Sequence, residues 1–169
     1  MSGRHTKTYY MGYGAILTAL AMIFSYVEAI LPFSIGIPGV KLGIANIVVV
    51  IALYRFGVKM AFTINIIRIV VSGLLFSGAF GILYSLAGGI LSFIVMLIIK
   101  KFPCFSVVGV SMAGGVFHNL GQLLTAAFIV SNIKLFVYFP VLLFSGLITG
   151  TIIGIVAGLV LEKLDKAGV

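Results

Sequence analysis

Apolar stretches about as long as a bilayer is thick take up almost the whole chain, and the few charges fall between them. Hydrophobic residues fill 62% of the 169 positions and charged residues only 8%, against about 45–50% and about 25% in soluble domains. A soluble fold of this length has too little interior to bury so much apolar side chain, so lipid must cover much of it. The sequence therefore predicts an all-α integral membrane protein.

Glycine, proline and charged residues divide the chain into six predicted spans. Breaks are expected at 34–41, 55–59, 77–78, 100–103 and 131–134. The predicted spans are 9–31, 42–56, 58–76, 79–100, 106–130 and 137–161. The second is short, so part of the connection before it is expected to lie at membrane depth. We expect one six-transmembrane-helix bundle over 9–162, with a basic N-terminus at 1–8 and a tail at 163–169.

The cations that flank the spans predict that both termini are cytoplasmic. With the N terminus inside, eight cations are cytoplasmic and two are outside, which is the bias that sets orientation. The eight are Arg4, Lys7, Arg55, Lys59, Lys100, Lys101, Lys163 and Lys166, and the two are Lys41 and Lys134. Because the cations are spread between apolar runs and form no single patch, the net charge of +8 does not indicate nucleic-acid binding.

Small residues recur at helical spacing on three of the predicted spans. They are Gly146, Gly150, Gly154 and Gly158 on the sixth, Gly81, Ser85 and Gly89 on the fourth, and Ala15 and Ala19 on the first. Such stripes let membrane helices approach closely and gain van der Waals contact. Internal packing is the main interpretation for the fourth and sixth spans. A docking surface for another membrane subunit is the alternative for the first.

Arg68 is the residue that costs most to place in lipid. It lies ten residues into the third predicted span, about 15 Å along the helix and near the bilayer middle. A charge at that depth costs about 2.5–3.5 kcal/mol on insertion scales, so it faces protein or a water-filled cavity. Asn65 and Ser72 share its helix face, which gives this span a polar stripe.

Other polar residues are predicted at a similar depth in the outer half of the bundle. They are Glu28, Lys41, Asn46, His118, Asn119 and Gln122. Together with Arg68 they predict one cavity open to the outside. An alternative is that Arg68 and Glu28 form a buried ion pair while the amides bond neighbouring helices. Because the cations outnumber Glu28, the cavity reading favours an anionic ligand such as a carboxylate or phosphate.

Several kinds of chemistry lack their residues in this sequence. There is no GxxxxGK[ST] motif for nucleotide binding. The acids are Glu28, Glu162 and Asp165, and the last two fall at the cytoplasmic end, so clustered carboxylates for magnesium are missing. One cysteine and two histidines make a zinc site improbable on composition. We expect no catalytic residues, no metal and no cofactor.

Five stretches resemble a known family when they are taken together. They are YVEAILPF (26–33), PGVKLGIAN (38–46), RIVVSGLLFSG (68–78), YSLAGG (84–89) and SMAGGVFHNLGQLL (111–124). On these motifs the chain resembles the Gx transporter family, also called heptaprenyl diphosphate synthase component I, from about Gly14 to Gly158.

The resemblance implies a bacterial membrane protein similar to the substrate-binding S components of energy-coupling factor transporters. Such proteins have six helices, both termini inside and a ligand site near the outer face. A separate transmembrane coupling protein and two ATPases supply the power, and an Ala-rich face of the first helix meets the coupling protein. That would give Ala15 and Ala19 a role.

Two functions follow from this reading. The first is a substrate-capturing subunit that holds an anionic solute with Arg68 and its neighbours. The second is a non-catalytic membrane accessory subunit in isoprenoid or menaquinone biosynthesis, as the family's second name implies. Prenyl diphosphate synthases use two aspartate-rich motifs, whereas this chain has one aspartate, Asp165, so we expect no catalysis by this chain.

Overall fold

A computed structural model describes residues 2–30 and 43–167, with side chains from Thr8 onward. Most of these residues are helical, and none of them lies in a strand. The α-helices are α1 (Ser2–Ile30), α2 (Ala45–Arg55), α3 (Val58–Ser72), α4 (Gly78–Lys100), α5 (Val107–Val130) and α6 (Phe139–Lys166). A π-helical segment, Gly73–Ser77, joins α3 to α4, and a 3₁₀ turn, Ile133–Tyr138, precedes α6. The predicted all-α architecture is confirmed.

Most of the predicted breaks agree with the observed helix ends. The breaks at 55–59, 100–103 and 131–134 each fall between two α-helices. By length and apolarity, four helical segments can cross a membrane: Thr8–Ile30, Val58–Lys100, Val107–Val130 and Ile133–Lys166. Helix α2 is apolar but shorter. The break predicted at 34–41 lies outside the described residues, and the count of six spans stays a prediction.

The segment Val58–Lys100 is a hairpin, not one long helix. Asn65 Nδ2 donates a hydrogen bond to Gly89 O at 3.3 Å, across 24 residues, whereas a continuous helix would hold those residues about 36 Å apart. The chain reverses at Gly78, whose φ of 67° suits a residue without a Cβ atom. A break predicted at 77–78 thus becomes a tight reversal between α3 and α4.

Glycines bring α6 against α5 at backbone contact. A Cβ atom on Gly150 would lie 2.7 Å from Met112 Cα, and one on Gly154 would lie 2.6 Å from Val108 Cα. Gly146 fits against Gly115 in the same way, so the predicted internal packing of this stripe holds for three of its four glycines. Gly158 has no such neighbour within 4 Å.

The stripe predicted on the fourth span packs differently from the sixth. Gly89 faces Ile69 of α3, whereas Ser85 lines a cavity described below. Contact with α5 is made by Gly88, because a Cβ atom on Gly121 would lie 2.8 Å from Gly88 Cα. Helix α4 therefore divides its small residues between two neighbours.

Helix α2 is the centre of the core. Its residues from Val48 to Leu53 are almost completely buried, so it is covered by protein on all sides along that stretch. Its C-terminal end is tied to two other helix ends, because Arg55 pairs with Asp165 at 2.8 Å and Lys100 Nζ donates to Leu53 O at 2.7 Å. Four helix ends therefore lie at the same end of the bundle. We call it the basic end, because it carries Arg55, Lys59, Lys100, Lys101, Lys163 and Lys166.

Candidate functional site

A cavity of about 280 Å³ lies in the half of the bundle away from the basic end. Five segments contribute to it: α1, the start of α2, α3 with the π-helical segment, α4 and α5. The described residues that line it are Ser25, Glu28, Ala29, Gly43, Asn46, Arg68, Ile69, Ser72, Phe76, Ser77, Ser85 and His118. Four of the seven predicted ligand-binding residues, Glu28, Asn46, Arg68 and His118, therefore share one cavity.

Arg68 is held at the cavity wall by two amides. Asn65, one turn earlier on α3, accepts from Arg68 Nη2 at 2.9 Å and from Nε at 3.2 Å through the same oxygen. Asn46, in the first turn of α2, accepts a further bond from Nη2. The arginine is only 8% exposed, and the neutral amides orient it without carrying an opposite charge. The carboxylate of Glu28, which lines the same cavity, acts on it electrostatically.

Glu28 joins the end of α1 to the start of α2. Its Oε1 accepts a hydrogen bond from the backbone N–H of Gly43, just before α2 begins. Ser25 precedes Glu28 by one helical turn and also lines the cavity. Helix α1 therefore contributes a carboxylate and a hydroxyl to the lining, while α3 contributes a guanidinium.

The π-helical segment supplies the aromatic part of the lining. Phe76 faces the cavity and packs against Tyr26 of α1, with ring centroids 5.6 Å apart. Ser77 follows it in the lining. Because π-helical insertions turn side chains off the regular helical register, they are frequent at functional sites. Here the insertion brings two residues of the α3–α4 junction into the cavity.

Two predicted site residues contact neighbouring helices and are not part of the cavity lining. Asn119 Nδ2 donates to Leu142 O of α6 at 2.8 Å. Gln122 packs at the α4–α5 interface, where its Cγ would lie 3.0 Å from a Cβ atom on Gly88. Lys41 falls outside the described residues. The assignment of these three residues to ligand binding stays a prediction.

Sequence reasoning missed much of the polar lining. Ser25, Ser77 and Ser85 all contribute hydroxyls to the cavity. The sequence instead predicts a helix break at Ser77 and helix packing for Ser85. The position of Ser25 one helical turn before Glu28 could have indicated that both residues face the cavity. Nothing in the sequence marks Phe76, because its place depends on the π-helical register.

The arrangement is suited to binding a small polar molecule. Among the described residues, no group of three or more His, Cys, Asp or Glu side chains could hold a metal ion. The lining combines one guanidinium, one carboxylate, one imidazole and four serine hydroxyls. Such a set can recognise a small polar solute through charge-assisted hydrogen bonds.

A second recess runs along the outer surface between α1 and α3. It has a volume of about 650 Å³, and its lining includes Ala15, Ala19, Lys59 and Ile67. Both alanines are exposed. The small residues predicted as a partner surface therefore line an open, mainly apolar groove, and their role as a partner surface stays a prediction.

Comparison with known proteins identifies a family and nothing narrower. Neither a curated protein nor a solved structure gives a significant match. The family model for heptaprenyl diphosphate synthase component I matches residues 17–160, which covers every described element of the cavity. The match agrees with the resemblance noted from the motifs. The chain belongs to the heptaprenyl diphosphate synthase component I family.

Proposed function

We propose that the chain is the substrate-binding subunit of a membrane transporter and captures a small anionic solute in the cavity. The observation that supports the proposal is Arg68, a buried guanidinium that lines the cavity and donates hydrogen bonds to the amide oxygens of Asn46 and Asn65. Glu28, which lines the same cavity, also interacts with Arg68 electrostatically. In this proposal an anionic group of the solute completes the interactions of the guanidinium.

The size of the cavity limits the solute. A volume of about 280 Å³ lies at the lower end of the about 300–1,000 Å³ of small-molecule pockets. It matches a compact solute with a carboxylate or phosphate and a few polar groups. A prenyl chain of seven isoprene units would not fit, so the proposed solute is not the product in the family's name.

The topology of the proposed subunit has both termini in the cytoplasm. Six cations of the described chain lie at the basic end, which the positive-inside bias assigns to the cytoplasm. The cavity then belongs to the outer half of the membrane. In this proposal the chain needs other subunits for power, namely a coupling membrane protein with ATPases, and the groove that holds Ala15 and Ala19 is the surface for the coupling protein.

The test is to identify and measure what stays bound. Chain purified mildly into nanodiscs is denatured, and the released small molecules are identified by mass spectrometry. We expect a stoichiometric anionic solute. Arg68→Gln should reduce its retention about 10- to 100-fold, since a charge-assisted contact is worth about 1.5–3 kcal/mol. Lys163→Gln, which removes the same charge from the basic end, should retain it fully. Equal retention by both variants contradicts the proposal.

A second candidate function is favoured by the family itself. The name describes one component of a synthase, so the chain would be a non-catalytic membrane subunit that anchors a prenyl diphosphate synthase in isoprenoid or menaquinone biosynthesis. Copurification of a synthase with the chain, in a preparation that contains no bound solute, supports this role against the first. ATPase subunits in the same preparation support transport.

A further inference from the structure

A third recess lies at the basic end, on the outer surface of the α3–α4 hairpin. Its volume is about 530 Å³. The described lining consists of Val58, Ile94, Leu97, Ile98, Lys100 and Lys101. Val58, Ile94 and Ile98 are each about half exposed. The recess is therefore an apolar groove with two lysines at one end, separate from the solute cavity in both position and chemistry.

The two lysines have different roles in the groove. Lys100 is fixed, because its Nζ donates to Leu53 O at 2.7 Å and lies 4.4 Å from the centre of the Tyr54 ring. Lys101 is exposed at the C-terminal end of α4. No acidic residue is part of the described lining. Glu162 and Asp165, the acids of the basic end, are paired with Lys166 and Arg55, so the groove carries uncompensated positive charge.

We infer that this groove binds an anionic phospholipid. Its acyl chain lies along Val58, Ile94 and Ile98, and its phosphate contacts Lys101. From Ile94 to Lys101 the helix rises about 10 Å, which is the distance over which a lipid passes from upper acyl chain to headgroup near a membrane surface. Basic pockets between helices on the cytoplasmic side suit such headgroups.

The apolar walls decide between a lipid and a soluble anion. Free phosphate would gain only the lysine contacts and would leave Ile94 and Ile98 unused. The positive charge of the groove favours anionic over zwitterionic lipids, because a zwitterionic headgroup places its own cation next to Lys100 and Lys101. An anionic lipid uses both features of the groove.

The absence of tryptophan from the sequence makes the inference directly testable. Phe102→Trp places a single tryptophan beside Lys101, and Ile148→Trp places one at an exposed position of α6 away from the basic end. Each full-length variant is reconstituted in vesicles of phosphatidylcholine containing either brominated phosphatidylglycerol or brominated phosphatidylcholine. Quenching then reports the lipid that occupies the site next to the tryptophan.

We expect Phe102→Trp to prefer phosphatidylglycerol at least fivefold and Ile148→Trp to show no preference. Adding Lys101→Gln to Phe102→Trp should lower the preference about fivefold, and adding Lys163→Gln should leave it unchanged. Equal quenching by both lipids at Phe102→Trp overturns the inference, as does an equal effect of the two lysine variants. Loss of the preference in millimolar inorganic phosphate also overturns it, because the site then binds a soluble anion.

Discussion

Asn65 connects Arg68 to the facing helix of the α3–α4 hairpin. Its side-chain oxygen accepts two hydrogen bonds from the guanidinium, and its amide nitrogen donates one to Gly89 O. The position of the charge is therefore set by the hairpin, and the hairpin is stabilised by the same amide. The cavity wall and the reversal of the chain at Gly78 depend on each other.

Asn65→Leu should destabilise the protein by about 1–3 kcal/mol, because it leaves a buried guanidinium short of acceptors. Helical circular dichroism followed during titration with dodecyl sulfate measures the change. Asn119→Leu is the matched comparison, since Asn119 is also buried but donates to a backbone carbonyl and orients no charge. It should cost less. A larger cost for Asn119→Leu would contradict the role given to Asn65.

Gly150→Ala should cost about 1–3 kcal/mol, since the new methyl group would lie 2.7 Å from the backbone of α5 and overpacking has costs of that size. Gly158→Ala on the same stripe has open space around it. It should be neutral, or stabilising by up to about 1 kcal/mol through helix propensity. The same titration measures both, and similar values for the two would mean that α5 and α6 are not in backbone contact.

Gly78→Ala should weaken solute binding as well as stability. The glycine has φ 67° and ψ −177°, a conformation that costs other residues about 1–3 kcal/mol. Relief of that strain would move Phe76 and Ser77, which line the cavity. Gly12→Ala, at an open helical position, is the control. Unchanged solute retention by Gly78→Ala, measured by mass spectrometry, would mean that the π-helical segment takes no part in binding.

Glu28→Gln should tighten the binding of an anionic solute by roughly three- to tenfold. The change removes a negative charge from the cavity and keeps an oxygen that can accept from the N–H of Gly43. Calorimetric titration with the solute identified from the wild-type chain measures it. Weaker binding by this variant would indicate that Glu28 contacts a positive group of the solute.

Much of the fold was accessible from the sequence, because helix ends in a chain this apolar are marked by charge and glycine. Arg55, Lys59 and Lys100 stand where helices end or begin. The polar stripe of α3 predicted that Asn65 and Arg68 share one helix face, and the two side chains are hydrogen-bonded to each other. These features depend on local spacing, which a single sequence displays directly.

The direction in which side chains point around each helix axis could not be predicted from the sequence. Asn119 and Gln122 read as ligand-binding residues by depth, yet their contacts are with α6 and α4. Depth follows from counting residues, whereas the direction in which a side chain points depends on how neighbouring helices pack. The π-helical register that turns Phe76 into the cavity is likewise a product of packing.

The shortness of α2 has a consequence for any solute that reaches Arg68. The helix has 11 residues and rises about 16 Å from the basic end, roughly half of a hydrocarbon slab about 30 Å thick. A molecule bound at Asn46 would already have passed half of the permeability barrier. In the proposed topology, the buried valines, isoleucine and leucine of α2 separate that molecule from the cytoplasm, and it would complete the crossing only if α2 moved.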